Sequence, residues 1–300
     1  MSAADLSVLQ RPNDKRRKRR FVNRGMEVVA WVAAAIAVGL LGLLVWSVAK
    51  QGASQLNLDL ITKPPSQNEF ALNPGPQGLA NAFVGTFIIV AIATAIALPI
   101  GILVAIYVNE FAPRAVKNFL TPSLDILNGI PAIVVGIFVF GLIVVGHGQS
   151  GFAGGFALSV LMIPLVARAT IEVLALVPDS LREASLGLGV PRWRTTLGIV
   201  LPQTVGGILT GTVLAVARVA GETAPLLFTS SIVGTQVGWN PSHALQSVPV
   251  AIYELSESPT PADHARAWAA ALVLLLFILF TSLIARWLAN RSRRKIARAS

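Results

Sequence analysis

Glu183-Ala-Ser-Leu-Gly-Leu-Gly-Val-Pro-Arg-Trp-Arg-Thr-Thr-Leu-Gly-Ile-Val-Leu-Pro202 is a polar stretch between two strongly apolar ones, and its reading decides the fold. Gly189 tolerates a positive φ and Pro191 cannot continue a helix, so the chain turns there and two short helices result. Ala184 and Ser185 are small enough for close approach by a partner. Arg182, Glu183, Arg192 and Arg194 put charge around the turn, and Trp193 is a rigid anchor of the kind enriched at interfaces. Residue by residue, the stretch also reads as an ordinary loop with a Gly-Pro turn and the arginines that cytoplasmic loops accumulate.

The flanks are membrane segments. The chain has 300 residues, 54% hydrophobic and only 13% charged, whereas soluble domains are about 25% charged. A span needs about 20 mostly apolar residues. Six candidates meet that need: Val28–Ala49, Leu79–Val108, Leu124–Val145, Phe152–Ile171, Leu197–Leu227 and Ala267–Leu288. The second and fifth exceed one crossing, so they tilt, protrude or break at Pro99 and Pro202.

Lys and Arg orient the spans, because cytoplasmic loops carry the excess. With both termini inside, nineteen basic residues fall on the inner side and three, Lys50, Lys63 and Arg266, on the outer. This places residues 183–202 in the cytoplasm. The net charge of +10 then needs no nucleic acid: the basic run Lys15–Arg20, directly before a span, is a topology signal touching anionic lipid. The apolar stretch after it exceeds a signal-peptide core and has no small-x-small cleavage site, so an uncleaved anchor is expected. The absence of Cys excludes disulfides, thiolate metal ligands and cysteine catalysis.

The organisation that follows is a basic cytoplasmic tail (1–25), a first transmembrane helix (26–50), an outer loop (51–78), a five-helix core (79–290) containing the 183–202 loop, and a second basic tail (291–300). The first outer loop carries the turn signals Pro64-Pro65 and Asn73-Pro74-Gly75-Pro76. A second outer segment, Ser230–Asp263, carries Gly234, Gly238, Asn240-Pro241, Glu254 and Glu257, and its apolar middle, Leu245–Leu255, suits a short covering helix. Gly207 and Gly211 have the spacing that lets helices approach closely in lipid. Gly129–Gly136 predicts an irregular opening to the third span.

Arg218 and Glu222 lie deep in the fifth span, four residues apart and so on one face of a continuous helix. A charge in hydrocarbon costs at least ~2.5 kcal/mol, so they are expected to face the bundle interior or a cavity. A guanidinium there can receive an oxyanion, with Glu222 holding it or helping release the anion; equally, the two can be a self-satisfied pair that locks packing. Arg168 and Glu172 share the spacing, and there the packing reading is preferred. No phosphate loop of the G-x-x-x-x-G-K-[ST] type, H-E-x-x-H or G-x-S-x-G occurs. His147, His243 and His264 are scattered and read as loop residues rather than a metal site.

Glu183-Ala-Ser, Gly189 and Leu201-Pro202 stand at the spacing of the EAA loop and resemble binding-protein-dependent ABC permeases. Ala217-Arg-x-x-Gly-Glu-Thr-Ala-Pro-Leu-Leu-Phe-Thr229, Val248-Pro-Val-x-Ile-Tyr253 and Arg266-Ala-Trp-Ala-Ala-Ala271 narrow this over residues 79–290 to a resemblance to the PstA family of phosphate importer permeases. Ser185 in place of the second EAA alanine is a departure. The resemblance implies an all-α membrane protein of six transmembrane helices with the MetI-like, type I ABC importer architecture. It implies ATPase coupling through Glu183, Ala184, Ser185, Gly189, Leu201 and Pro202, and a substrate pathway at Arg218 and Glu222. The implied partners are the sister permease PstC, a dimer of the ATPase PstB, the phosphate-binding protein PstS, phosphate and membrane lipid. ATP and Mg would be bound by the ATPase, so this chain would hold no cofactor and would not itself be an enzyme. The implied location is a bacterial or archaeal inner membrane, multi-pass. The alternatives are a permease for another oxyanion or small solute, or a membrane scaffold or sensor without transport.

Overall fold

A computed structural model describes residues 14–65, 78–231 and 236–296; the turn signals at Asn73–Pro76 and Gly234 and the far ends of both basic tails lie outside them. The chain forms two units, 1–51 and 52–300. The described residues of the first, 14–51, belong to one helix, α1 (Asp14–Gly52), in which the end of the basic tail and the first apolar stretch are continuous.

In the second unit a short helix, α2 (Leu58–Thr62), starts at Asn57, whose side chain accepts a hydrogen bond from the Leu60 N–H at 2.8 Å. There follow α3 (Ala80–Ile106), α4 (Arg114–Asn128), α5 (Ala132–Val139), α6 (Gly151–Leu174), α7 (Asp179–Gly187) and α8 (Arg192–Thr195). The remainder is α9 (Leu201–Val219), α10 (Ala224–Thr229), α11 (Val248–Glu257) and α12 (Pro261–Ile296), with no strand among the described residues. Among the described residues five helical stretches are long and apolar enough to cross a membrane, or six if the bent pair formed by α4 and the helical stretch from α5 to His147 is one span.

The core forms where small residues let backbones meet. On α3, Gly85, Ile89, Ala93, Ala97, Gly101 and Ala105 are buried at every fourth position, a stripe down one face of the helix. That face packs on α6. A Cβ on Gly101 would lie 2.9 Å from Val166, and one on Gly155 of α6 would lie 2.5 Å from Ile92. The expected approach through Gly207 and Gly211 is present: a Cβ there would meet Val173 at 2.5 Å and Ala169 at 2.7 Å, so α9 lies on the other side of α6. Ile89, Ala93, Leu158, Met162, Ala215 and Val219 join these three helices in one cluster.

The first N–H groups of α6, which no helix can satisfy internally, are met one by one. Ser150, Gly151 and Phe152 donate from the main chain to the carbonyls of Thr229, His243 and Pro241 at 3.0, 2.9 and 3.0 Å. The Ala153 N–H donates to Ser150 Oγ at 3.1 Å. This ties the start of α6 to the chain on both sides of residues 232–235.

The structure changes several sequence expectations. The third span is two helices, α4 and α5, meeting at 92°; Pro131 lacks an N–H and biases Ile130 toward extended backbone, so the irregular opening at Gly129 becomes a sharp bend. Pro99 does not break the second span, which runs through it and on into a π-helical turn, Tyr107–Phe111. Pro202 does not break the fifth. The helix from Arg192 instead widens into a π-helical turn at Thr196–Val200, where the Leu201 N–H reaches back to the Thr196 carbonyl just before the proline ring. The break falls later, between Val219 and Ala224, because Gly221 weakens the helix and Pro225 would clash with the Gly221 carbonyl in a continuous one. The outer helix expected over Leu245–Leu255 is α11, and it begins at Val248. The last span starts at Pro261 rather than Ala267, which puts His264 and Arg266 in a helix instead of a loop.

Candidate functional site

Two places hold the charges and the irregular backbone: the turn from α7 to α8, and the gap from α9 to α10. At the turn, Gly189 has φ +78°. The Gly189 N–H donates to the Leu186 carbonyl at 2.9 Å and the Val190 N–H to the Ser185 carbonyl at 3.2 Å, the paired bonds of a Schellman cap that close α7 and redirect the chain. Ser185 is not offered to a partner. It is 4% exposed, and its Oγ lies 2.9 Å from Thr195 Oγ1, clasping α7 to α8. Glu183, Ala184 and Pro202 are exposed, and Leu201 is half-buried against the cluster of Leu174, Val177 and Val200. Trp193 is exposed, with the Arg194 guanidinium stacked 5.0 Å from its ring centre.

Arg182, read from sequence only as one of the charges around the turn, is the most heavily bonded side chain there. Its Nη2 donates to Glu110 Oε1 at 2.8 Å and its Nε to Oε2 at 3.2 Å. Nη1 donates to Asp179 at 3.0 Å and to the Val177 carbonyl at 2.7 Å, and Nη2 also reaches the Leu174 carbonyl at 3.0 Å. Hydrogen bonding to Glu110, aided by the charges of Glu110 and Asp179, outweighs burial and raises the guanidinium above its ordinary pKa. The two side chains are 17% and 8% exposed. Beside them opens a cleft of about 400 Å³ lined by Glu110, Lys117, Asp179, Arg182 and Arg192. No sequence signal links residues 110 and 182.

At the second place α9 ends one residue after Arg218, and Glu222 lies in the gap. The expectation that both sit on one continuous helix face fails for that reason. Arg218 is exposed and Glu222 half-buried. Neither has an ion pair or side-chain hydrogen bond among the described residues, so they are not a self-satisfied pair. The signal for the break was in the sequence: a glycine four residues before a proline, inside an apolar run. Beyond the gap, α10 packs on α5, where a Cβ on Gly136 would lie 2.7 Å from Pro225 Cα. Phe140 and Phe228 meet edge to face at 6.5 Å.

Arg168, by contrast, is paired with Glu172 at 3.3 Å, as its spacing predicts, and also with Asp125 of α4 at 3.5 Å. Near α11 a polar chain was not foreseen. Asn81 Nδ2 donates to Gln246 Oε1 at 2.6 Å, and Gln246 Nε2 to Glu254 Oε2 at 2.8 Å. Burial raises the pKa of the Glu254 carboxyl, against the lowering effect of hydrogen bonds from Gln246 and Ser231.

The described residues thus form a bundle of membrane-length helices with a polar two-helix turn between two of them. Residues 97–294 match the family described as binding-protein-dependent transport system inner membrane component. A subunit of the MetNI methionine ABC transporter in an inward-facing form is 17% identical with a TM-score of 0.56, covering 71% of this chain and 93% of that one. A subunit of a bacterial alginate ABC transporter, solved with its alginate-bound periplasmic protein, is 15% identical with a TM-score of 0.60, covering 92% and 96%. These two likenesses concern the fold. Closer in sequence is the phosphate transport system permease protein PstA of Haemophilus influenzae, 38% identical over 89% of this chain and 94% of its own. PstA of Yersinia pestis is 39% identical over 91% and 93%, and PstA 1 of Mycobacterium tuberculosis 40% identical over 72% of each. The chain belongs to the binding-protein-dependent transport permeases and, among them, to the PstA family.

Proposed function

We propose that this chain forms half of the membrane pathway of an ATP-driven importer of inorganic phosphate, in a bacterial or archaeal inner membrane with both termini in the cytoplasm. Residues 79–290 are the permease core, 26–50 the first span, 51–78 an outer loop, and 1–25 and 291–300 basic tails at the inner surface. A PstC-type permease completes the pathway, a PstS-type protein delivers phosphate from outside, and a PstB-type ATPase dimer holds the ATP and Mg. The last docks on α7 and α8 through Glu183, Ala184 and the surface around Gly189, with Leu201 and Pro202 seating the element on α9. Ser185 serves the same element from within, through Thr195.

The observation that carries this reading is Arg218, a cation in the last turn of a spanning helix, exposed and without a carboxylate partner among the described residues. Facing lipid it would cost at least ~2.5 kcal/mol, and irregular backbone at that depth is tolerated where it faces protein or a water-filled cavity. Both conditions are met at the midline of a two-permease pathway. There the guanidinium presents planar paired donors to phosphate oxygens, and Glu222, close by in sequence and partly buried, opposes tight retention of the anion and so favours its release. The test is ATP-dependent uptake of labelled phosphate by the reconstituted four-component system with sulfate as competitor. Uptake that sulfate does not suppress is expected; equal competition by sulfate would move the reading to a general oxyanion permease, and no uptake at all would leave a scaffold or sensor.

A further inference from the structure

We propose that Arg182 and Glu110 form the joint through which movement of α7 reaches α3 and α6 together. The proposal rests on the reading that α7 and α8 receive the stroke of the ATPase. Arg182 lies in the first half of α7. Glu110 lies in the π-helical turn that continues α3. Leu174 is the last residue of α6, and its carbonyl, one of the four that the helix's own ladder leaves over, accepts from the Val177 N–H at 3.3 Å and from Arg182 Nη2 at 3.0 Å. One guanidinium therefore grips the carboxylate at the end of one span, caps the end of a second, and bonds Asp179 and the Val177 carbonyl in and before α7. Arg supplies this because its planar fork offers five fixed donors, where Lys offers a rotating point charge.

Burial makes the grip stiff. An exposed pair is screened and holds little, whereas these groups are 17% and 8% exposed. Behind them α3 and α6 are locked by the fourfold stripe of small residues, so a displacement delivered at Arg182 moves both helices as one body. The attachment of α7 to α9 is of a different kind: the Gly189 cap, a proline, and the Ser185–Thr195 contact, followed by the wide turn Thr196–Val200. The loop is thus fastened to one pair of spans by a buried ionic clamp and to the next by a hinge.

The experiment measures phosphate taken up per ATP hydrolysed in the reconstituted complex, for Arg182→Lys, Glu110→Gln and the unaltered chain. A lost joint lowers this ratio about tenfold, the scale on which residues between coupled sites act. A pin that served only assembly would lower ATP hydrolysis and uptake in proportion and leave the ratio unchanged, and that result would overturn the proposal. Should the single variants fail to assemble because a buried charge is stranded, Glu110→Cys with Arg182→Cys removes both charges from a chain without other cysteines. Bridging the two thiols with a short bifunctional reagent is expected to restore the ratio; a bridge that leaves it low, or stops uptake, would equally overturn the joint. Absence of uptake by the unaltered chain would count against the importer reading instead.

Discussion

A carboxylate four residues from a guanidinium is ordinarily its partner, and at Arg218 and Glu222 the chain prevents this by ending α9 between them. Composition and spacing marked both residues, yet spacing alone left open whether they lock each other or serve an anion. The backbone break, set by Gly221 and Pro225, is what separates these readings. If Arg218 serves the anion, Arg218→Gln, Glu222→Gln and the double change all assemble, and uptake per assembled complex stays at least tenfold down wherever Arg218 is lost, the equivalent of about 1.4 kcal/mol or more. Were the two a hidden ion pair, each single change would strand a charge at about 3–5 kcal/mol and the double change would recover uptake. Arg182 shows the opposite limit of legibility. Its neighbour Glu183 lies within the EAA-like pattern, but Glu110 is distant in the chain, and no local periodicity can announce a partner brought in by tertiary packing.

At the scale of the element, helices were readable because twenty apolar residues in a row have few other uses, while the breaks obeyed finer rules. Gly129 with Pro131 gave the bend between α4 and α5, as a proline with a preceding glycine suggests. Pro99 and Pro202 gave none: neighbouring helices and a widened turn absorb the missing N–H in a membrane bundle. Pro225 did interrupt its span, with Gly221 at the carbonyl position it would strike. The α7–α8 turn was the most legible element, since a positive φ followed by a proline leaves few alternatives. Gly189→Val forces a β-branched residue into the left-handed region, at a cost of about 1–3 kcal/mol. The membrane helices should remain, by circular dichroism of the purified complex, while stimulation of ATP hydrolysis by loaded binding protein falls severalfold. Undiminished stimulation would remove Gly189 from the coupling element.

For the whole molecule, the bias of basic residues predicts the sidedness. Single cysteines at positions 190 and 240 of this cysteine-free chain should label differently in intact cells, with a membrane-impermeant reagent reaching 240 and missing 190; external labelling at 190 would reverse the orientation. The polar chain through Glu254 predicts a pH dependence. Because burial raises this carboxyl's pKa, the folded chain binds the proton more tightly than the unfolded one. The resulting stability is full below the ordinary carboxylate range and is lost as pH rises through the raised value. Glu254→Gln is neutral throughout, so its thermal midpoint should fall less between mildly acidic and neutral pH than that of the unaltered protein. Equal slopes would mean that Glu254 does not contribute.

The start of α6 is held by three successive main-chain donors to carbonyls on either side of residues 232–235. Such bonds belong to every amino acid but one. A genetic screen that hunts for loss of function by exchanging side chains would register at residues 150–152 only the loss of the Ser150 cap on the Ala153 N–H and added bulk at Gly151 meeting Leu245 at 2.8 Å, and would pass over the main-chain bonds themselves. Only proline deletes one of these donors, at Phe152 for instance, and codon-by-codon scanning that omits proline would leave the attachment unseen.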